Sequence, residues 1–219
     1  MKLEVLGSGS NGNSYLLRNE NEILILDAGI STKEVKIAID FSIYKVQGVL
    51  VSHEHSDHYR YANDWYKMGI PVNRAFLEKK NKPVEYGKFF IQAFPLVHNV
   101  ENRGFLIHHP ECGKVLYITD TEYCKFRFKA INHFLIECNY LDEYVDEHAE
   151  NRSHVIRGHQ SLQTCIEFLK ANVSEDTKTI TLCHLSMTNG NPELFKEMVQ
   201  KEFPKVVVNV AKKGLTVDL

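Results

Sequence analysis

Val46-Gln47-Gly48-Val49-Leu50-Val51-Ser52-His53-Glu54-His55-Ser56-Asp57-His58 runs from an apolar strand-like segment straight into three imidazoles and a carboxylate. An extended segment places His53 and His55 on one side, because side chains alternate with a period of two. A turn into a helix there, with Ser56 as N-cap, brings Asp57 and His58 back beside them. Neutral imidazoles and a carboxylate are the donors that borderline divalent metals prefer. A merely solvated, histidine-rich loop is the weaker reading. Four such side chains gathered at the end of a buried strand repel one another or go unsatisfied without a cation.

A chain of 219 residues with 43% hydrophobic content, 12 Phe and 10 Tyr has ample material for a packed core. That length suits one large domain or two small ones sharing a core, and we expect a single domain over residues 1–219. A formal charge of -2 excludes an overall basic nucleic-acid glove but not a local positive patch. Basic residues gather at Arg74, Lys79, Lys80 and Lys82, at Lys125, Arg127 and Lys129, and at Arg152 and Arg157. Solvated surface is the favoured reading of each. Five cysteines, odd in number and without a C-x-x-C pair, indicate reduced thiols. No apolar leader follows Met1, and no run approaches the ~18 apolar residues of a membrane span. The expectation is a soluble, cytoplasmic protein.

Outward from the cluster, Leu3 to Leu6 alternates like a half-buried strand. Gly7-Ser8-Gly9-Ser10-Asn11-Gly12-Asn13-Ser14 follows, without G-x-G-x-x-G spacing or a Walker lysine, so it reads as a turn into a second strand, Ser14 to Arg18. Ile23 to Leu26 is a third strand, ending in Asp27-Ala28-Gly29. Ser31 and Glu34 form a capping box. Tyr61, Trp65 and Met68 recur as the buried stripe of a helix. Strand-like runs follow at 89–94, 104–107, 115–120 and 134–138. A polar helix is expected from Asp142 to near Gly158, and Ser161 caps a helix burying Leu162, Cys165, Ile166 and Leu169. Thr179 to Cys183 is another strand, and Asn191-Pro192 supplies an N-cap with proline at N1. Val206–Val210 and Leu215–Leu219 read as a closing edge hairpin. The order suggests two sheets face to face with helices outside, an α/β sandwich.

His98, Asp120 and His184 each follow an apolar run, so a sheet can aim all three at the edge where open α/β sheets build their sites. With His53, His55, Asp57 and His58 they make seven ligand-type side chains. A catalytic zinc takes three protein ligands. Seven fit two metals sharing one carboxylate better than one metal.

The H-x-H-x-D-H pattern at His53–His58, with His98, Asp120 and His184 in order behind it, resembles the metallo-β-lactamase superfamily over nearly the whole chain. The resemblance implies an αββα four-layer sandwich of two mixed sheets. It implies that His53, His55 and His98 hold one metal, that Asp57, His58 and His184 hold the other, and that Asp120 bridges them along with a hydroxide. A bridging aspartate with a histidine as last ligand resembles the phosphodiesterase and nuclease branches. The 7–14 loop, Leu26-Asp27-Ala28-Gly29-Ile30-Ser31, Gly158-His159-Gln160-Ser161 and Cys183-His184-Leu185-Ser186 resemble small single-domain bacterial exonucleases related to ribonuclease Z. Gln160 departs from that group, which usually carries an apolar residue there, and the chain is shorter.

The function so implied is a metal-dependent phosphodiesterase or nuclease, with nucleic acid as substrate and two divalent ions as cofactors. Zinc is the first expectation, with manganese or iron as the alternatives that availability decides. Asp57 would orient the attacking water or take its proton, and His159 would contact phosphate or protonate the leaving oxygen. His154 is a weaker candidate for that duty, and Ser186 a substrate contact. Tyr140, Phe126, Phe128 and Arg127 are read as packing residues before base-stacking ones, and His108, His109, His133 and His148 as surface or core. Rival functions are hydrolysis of a small cyclic nucleotide, ester, thioester or lactone, and a structural or redox metal site. No flavodoxin-like domain accompanies the cluster, which weighs against redox work. No membrane association or obligate protein partner is implied, and the oligomeric state is left open.

Overall fold

Alternating burial at the N-terminus forms Lys2–Gly7 (β1), and the glycine-rich turn folds it back on Ser14–Arg18 (β2), with Leu3 opposite Leu17 and Val5 opposite Tyr15. The computed structural model describes residues 1–74, 82–146 and 152–219. Ile23–Leu26 (β3) pairs antiparallel with β2, and Thr32–Ala38 (α1) carries the chain over to Val46–Leu50 (β4), parallel to β3. Ser56–Tyr59 (α2) and Ala62–Lys67 (α3) then lead to Val72–Asn73 (β5).

The second sheet opens as an antiparallel meander of Val84–Tyr86 (β6), Phe89–Leu96 (β7), Asn102–His109 (β8) and Gly113–Ile118 (β9). It continues in parallel through His133–Glu137 (β10), Thr179–Cys183 (β11) and Val207–Val210 (β12). Arg152–Gly158 (α4) and Leu162–Asn172 (α5) connect β10 to β11, and Pro192–Glu202 (α6) connects β11 to β12. Thr216–Asp218 (β13) returns to pair with β1. The sheets run β13-β1-β2-β3-β4-β5 and β12-β11-β10-β9-β8-β7-β6.

Burial explains the layering. Leu3, Tyr15, Leu26 and Leu50 from one sheet meet Phe89, Phe105, Tyr117 and Leu135 from the other in a central cluster. On the outer face of the first sheet, Val35 of α1 and Trp65 of α3 cover Leu16, Ile25 and Val49. On the outer face of the second, Cys165 and Leu169 of α5 and Phe195 and Val199 of α6 cover Leu116, Ile136 and Ile180. Four layers result, the expected αββα sandwich of two mixed sheets. The caps form as the side-chain chemistry requires: Ser31, Ser161 and Asn191 accept from the backbone N–H of Glu34, Thr164 and Leu194. All five cysteines are free thiols, and burial pushes Cys112 and Cys124 up to about 11. No helix among the described residues is long and apolar enough to cross a membrane.

Three local expectations fail. The terminal strands do not form a hairpin: β12 joins β11 in one sheet and β13 joins β1 in the other. The intervening turn is held to both sheets, Ala211 N–H donating to Leu182 and Gly214 N–H to the Val5 carbonyl, so each strand seals a different edge. His55, not Ser56, is the residue before α2; in the Tyr61–Met68 stripe, which α3 carries with Tyr61 and Met68 as its caps, Trp65 is fully buried and Met68 packs half-buried on the same cluster. The helix expected from Asp142 is a 3-10 turn at Asp142–Tyr144 followed by α4; residues 147–151, with His148, lie outside the described residues.

His133 yields a stability prediction. It is 2% exposed, its Nδ1 lies 2.9 Å from Thr179 Oγ1, and its Nε2 has no partner among the described residues. Burial, with Lys178 nearby, pushes its pKa down to about 4. The unfolded chain, with a histidine pKa near 6.5, therefore binds the extra proton between these values, and stability falls as pH drops through that window. Thermal melts from pH 7 to 4.5 should fall less steeply for His133→Asn than for the wild type. Parallel slopes would remove His133 from the acid response.

Candidate metal centre

The strand directions bring the donors to one edge. β3 and β4 are parallel and end at Asp27 and His53. β7, β9, β10 and β11 share a direction in the other sheet and end near His98, Asp120, Glu137 and His184. Asp27, Asp120 and His184 adopt left-handed φ values of 59°, 50° and 52°. Such a turn costs a non-glycine residue on the order of 1 kcal/mol and is held only where surrounding contacts dictate it. Here it turns the chain away from the strand directly at the cluster.

Three imidazoles converge on one side. His53 Nε2 and His98 Nε2 lie 3.0 and 3.3 Å from His55 Nδ1. On the other side, His58 Nε2 and His184 Nε2 lie 3.2 and 3.4 Å from Asp57 Oδ2. Asp120 stands between, with Oδ2 3.7 Å from His53 Nε2 and Oδ1 3.3 Å from His58 Nε2 and 3.5 Å from His184 Nδ1. His53, His55, His98 and Asp120 form one group able to hold a metal, and Asp57, His58, Asp120 and His184 a second.

Further residues hold these groups in place. Asp27 accepts at Oδ2 from Tyr117 O–H and lies 2.6 Å from His58 Nδ1, which turns His58 Nε2 toward the cluster. Asp27 Oδ1 accepts from the Ser52 N–H. Asn13 Nδ2 lies 3.2 Å from Asp57 Oδ2 and 3.0 Å from His58 Nε2. Asn13 N–H donates to the Asp57 carbonyl, and Ala28 N–H to that of His58. Gly29 is needed at this crossing, since a Cβ there would collide with the Asp57 carbonyl. The glycine-rich turn is thus a clamp on the 53–58 loop. It also reaches the second sheet, where Ser8 Oγ accepts from the His184 N–H. Glu137, fully buried, places Oε1 2.7 Å from His159 Nδ1 and 3.2 Å from His184 Nδ1. His159 stacks on His184 with ring centroids 5.3 Å apart.

The electrostatics fit a cation. Burial, reinforced at His53 by His58, pushes His53 well down, and burial lowers His98 to about 4, so both keep a lone pair to offer. Ring nitrogens at 3.0–3.3 Å share a proton in one tautomer, and in the other turn their lone pairs together toward a cation. Burial opposes charge on His184, yet the surrounding carboxylates, Asp120 first, hold it up at about 10. Burial likewise opposes ionisation of Asp57 and Asp120, and the neighbouring imidazoles outweigh it, keeping both carboxyls below the usual range. Against the cost of burial the carboxylates raise His58 as well as His184, while His53 and His98 stay neutral; a negative field strong enough to draw positive charge, beside neutral imidazole donors, is the environment of a divalent ion.

All seven expected ligand residues come together, and His159 lies beside them. Ser186 Oγ accepts from Thr188 and Asn189 N–H groups and closes its own turn. His154 falls on α4, and its side chain lies outside the described residues. Phe126 and Phe128 pack on Phe94, and Tyr140 is buried. Asp27, Glu137 and Asn13 were not singled out as site residues. For Glu137 a signal existed: a ligand-type side chain closing the apolar run Phe134–Ile136, as Asp120 and His184 follow theirs.

An αββα sandwich with a His/Asp cluster at this edge defines a metal-dependent hydrolase. Residues 7–173 match the model described as "Metallo-beta-lactamase superfamily", and the chain belongs to that superfamily. It is 28% identical to "Exodeoxyribonuclease YycJ" of Bacillus anthracis, covering 92% of this chain and 88% of that protein. It is 26% identical to "Exodeoxyribonuclease WalJ" of Streptococcus pneumoniae, covering 88% and 84%. The crystal structure of the metallo-beta-lactamase fold protein YhfI from Bacillus subtilis superposes with a TM-score of 0.71 at 17% identity, over 99% of both chains.

Asp27→Asn should leave the fold intact while weakening metal binding about 10–100-fold, the usual loss when a ligand histidine's partner is removed. Metal titration by calorimetry reads this; unchanged affinity would make Asp27 a purely structural residue. Gly29→Ala should lose metal binding altogether, because the 53–58 loop must move to admit the methyl group.

Proposed function

We propose that this single-domain hydrolase is a two-metal phosphodiesterase that degrades nucleic acid as an exonuclease. The observation that carries the dinuclear reading is the Asp120 carboxylate, one oxygen turned to His53 and the other to His58 and His184. His53, His55 and His98 would hold one ion, Asp57, His58 and His184 the other, with Asp120 common to both. Zinc suits this donor set, and manganese and iron compete for it by availability. The names of the relatives support nucleic acid as the substrate.

Two bound divalent ions would supply Lewis acidity, activating water and neutralising charge at phosphorus. The chain's own residues supply orientation and protons. Asp57, held ionised by His184 and His58, is a poor proton acceptor and therefore positions the attacking water through its carboxylate oxygens. Burial lowers the basicity of His159, but the Glu137 and Asp120 carboxylates outweigh it, so its pKa is raised. An imidazolium pinned at Nδ1 by Glu137 can bind a phosphate oxygen and hand its proton to the leaving oxygen. Glu137 is a positioning residue in this scheme.

Purified protein with Mn²⁺ or Zn²⁺ should shorten end-labelled DNA or RNA from one terminus, and Asp120→Ala should abolish this. Cleavage of bis-p-nitrophenyl phosphate or a lactone with every nucleic acid left whole would sink the nuclease reading. His159→Ala should lower kcat about 10²–10⁴-fold at unchanged metal content, the range of a lost general acid. Unaltered turnover would return His159 to a packing role.

A further inference from the structure

The connection from β9 to β10 contains no helix. Residues 121–132 instead cross the outer face of the second sheet beside α5, and their burial alternates. Cys124, Phe126 and Phe128 turn toward the sheet, while Tyr123, Lys125, Arg127 and Lys129 stay exposed. Between this segment and α5 lies a groove of about 250 Å³, lined among others by Tyr123, Lys125, Phe126, Arg127, Gln160 and Phe168.

Gln160 is the anomaly in that groove. It is fully buried, yet neither Oε1 nor Nε2 has a partner among the described residues. An unpaired buried amide is costly to leave unsatisfied, so such a group signals a ligand or an ordered water. Its backbone is fixed at the catalytic edge. Gln160 N–H and Thr121 N–H both donate to Glu137 Oε2, and Thr121 Oγ1 donates to the Tyr123 carbonyl. Both walls of the groove therefore hang from the carboxylate that holds His159.

We propose that this groove is a subsite for one unpaired nucleobase of a single strand whose backbone passes the metal centre. The proposal rests on the nuclease reading above and extends it. The Gln160 amide offers an acceptor beside donors in one plane, the pattern that matches a base edge. Tyr123, exposed at the mouth of the groove, offers a ring face of the kind on which bases stack. Lys125 and Arg127 line the groove on its exposed side; Lys125 lies 5.5 Å over the Phe126 ring, and Arg127, without an ion pair among the described residues, is the cation placed for the flanking phosphate. The volume is below that of ordinary small-molecule pockets and suits a single flat ring system.

Binding is read by fluorescence anisotropy on the full chain as purified, with cleavage-resistant phosphorothioate strands. One 12-mer carries adenine throughout and the other is abasic. The wild type should bind the base-bearing strand about tenfold more tightly. Gln160→Leu should lose that preference, and Arg127→Glu should weaken both strands alike. Should Gln160→Leu fail to fold, Gln160→Asn, which shortens the amide's reach, is read the same way. If the wild type degrades nucleic acid but shows no preference, or the Gln160 variant keeps it, the subsite is refuted and Gln160 holds only a water. A wild type that neither binds nor degrades any strand overturns the nuclease reading and the subsite with it.

Discussion

One buried carboxylate has to serve two sets of imidazoles, and the architecture follows from that demand. Asp120 is 2% exposed, and an ionised carboxylate in such a place costs several kcal/mol unless compensated. Its compensation comes from both sheets: His53 and His58 from one, His184 from the other. Thr119 Oγ1 donates to Asp120 Oδ1, and Asn102 Nδ2 donates to the Thr119 and Asp120 carbonyls, fixing the strained backbone from which the carboxylate projects. Moving either sheet would leave an uncompensated charge.

The rigidity of the centre comes from backbone more than from side chains. Gly29 packs on Asp57 so closely that no Cβ fits, and the strand-end turn at Asp27 to Gly29 exchanges hydrogen bonds with Asn13 and His58. The glycine-rich segment therefore does more than turn the chain into the second strand: it braces the metal loop. Substrate discrimination, by contrast, would fall to the wall formed by residues 121–132 and the start of α5.

Much of this was legible in the sequence because it is local. The 53–58 spacing, the caps at Ser31, Ser161 and Asn191, and the polar residues closing apolar strands at His98, Asp120 and His184 are readable without knowing what packs where. The supporting residues were not. Asp27 lies 31 positions from His58 and Glu137 lies 22 from His159, and their roles arise from pairings that only the docked sheets create. The closing strands misled for a related reason. Two short apolar runs joined by a glycine turn look the same whether they pair together or seal two different sheets. Only the hydrogen bonds to Leu182 and Val5 decide it.

Ser8, meeting His184 across 176 residues, has a thermodynamic consequence. The donors are spread from His53 to His184 and divided between two sheets, so no fragment and no half-folded chain can assemble them. Any cation held there binds the native state and not the unfolded one, and adds RT ln(1 + [M]/Kd) to stability. At a hundredfold excess over Kd that amounts to about 2.7 kcal/mol, a sizeable part of a typical domain's margin. The folded population would then follow the cation supply of its surroundings, and starving the protein of metal would erode its persistence as well as its turnover.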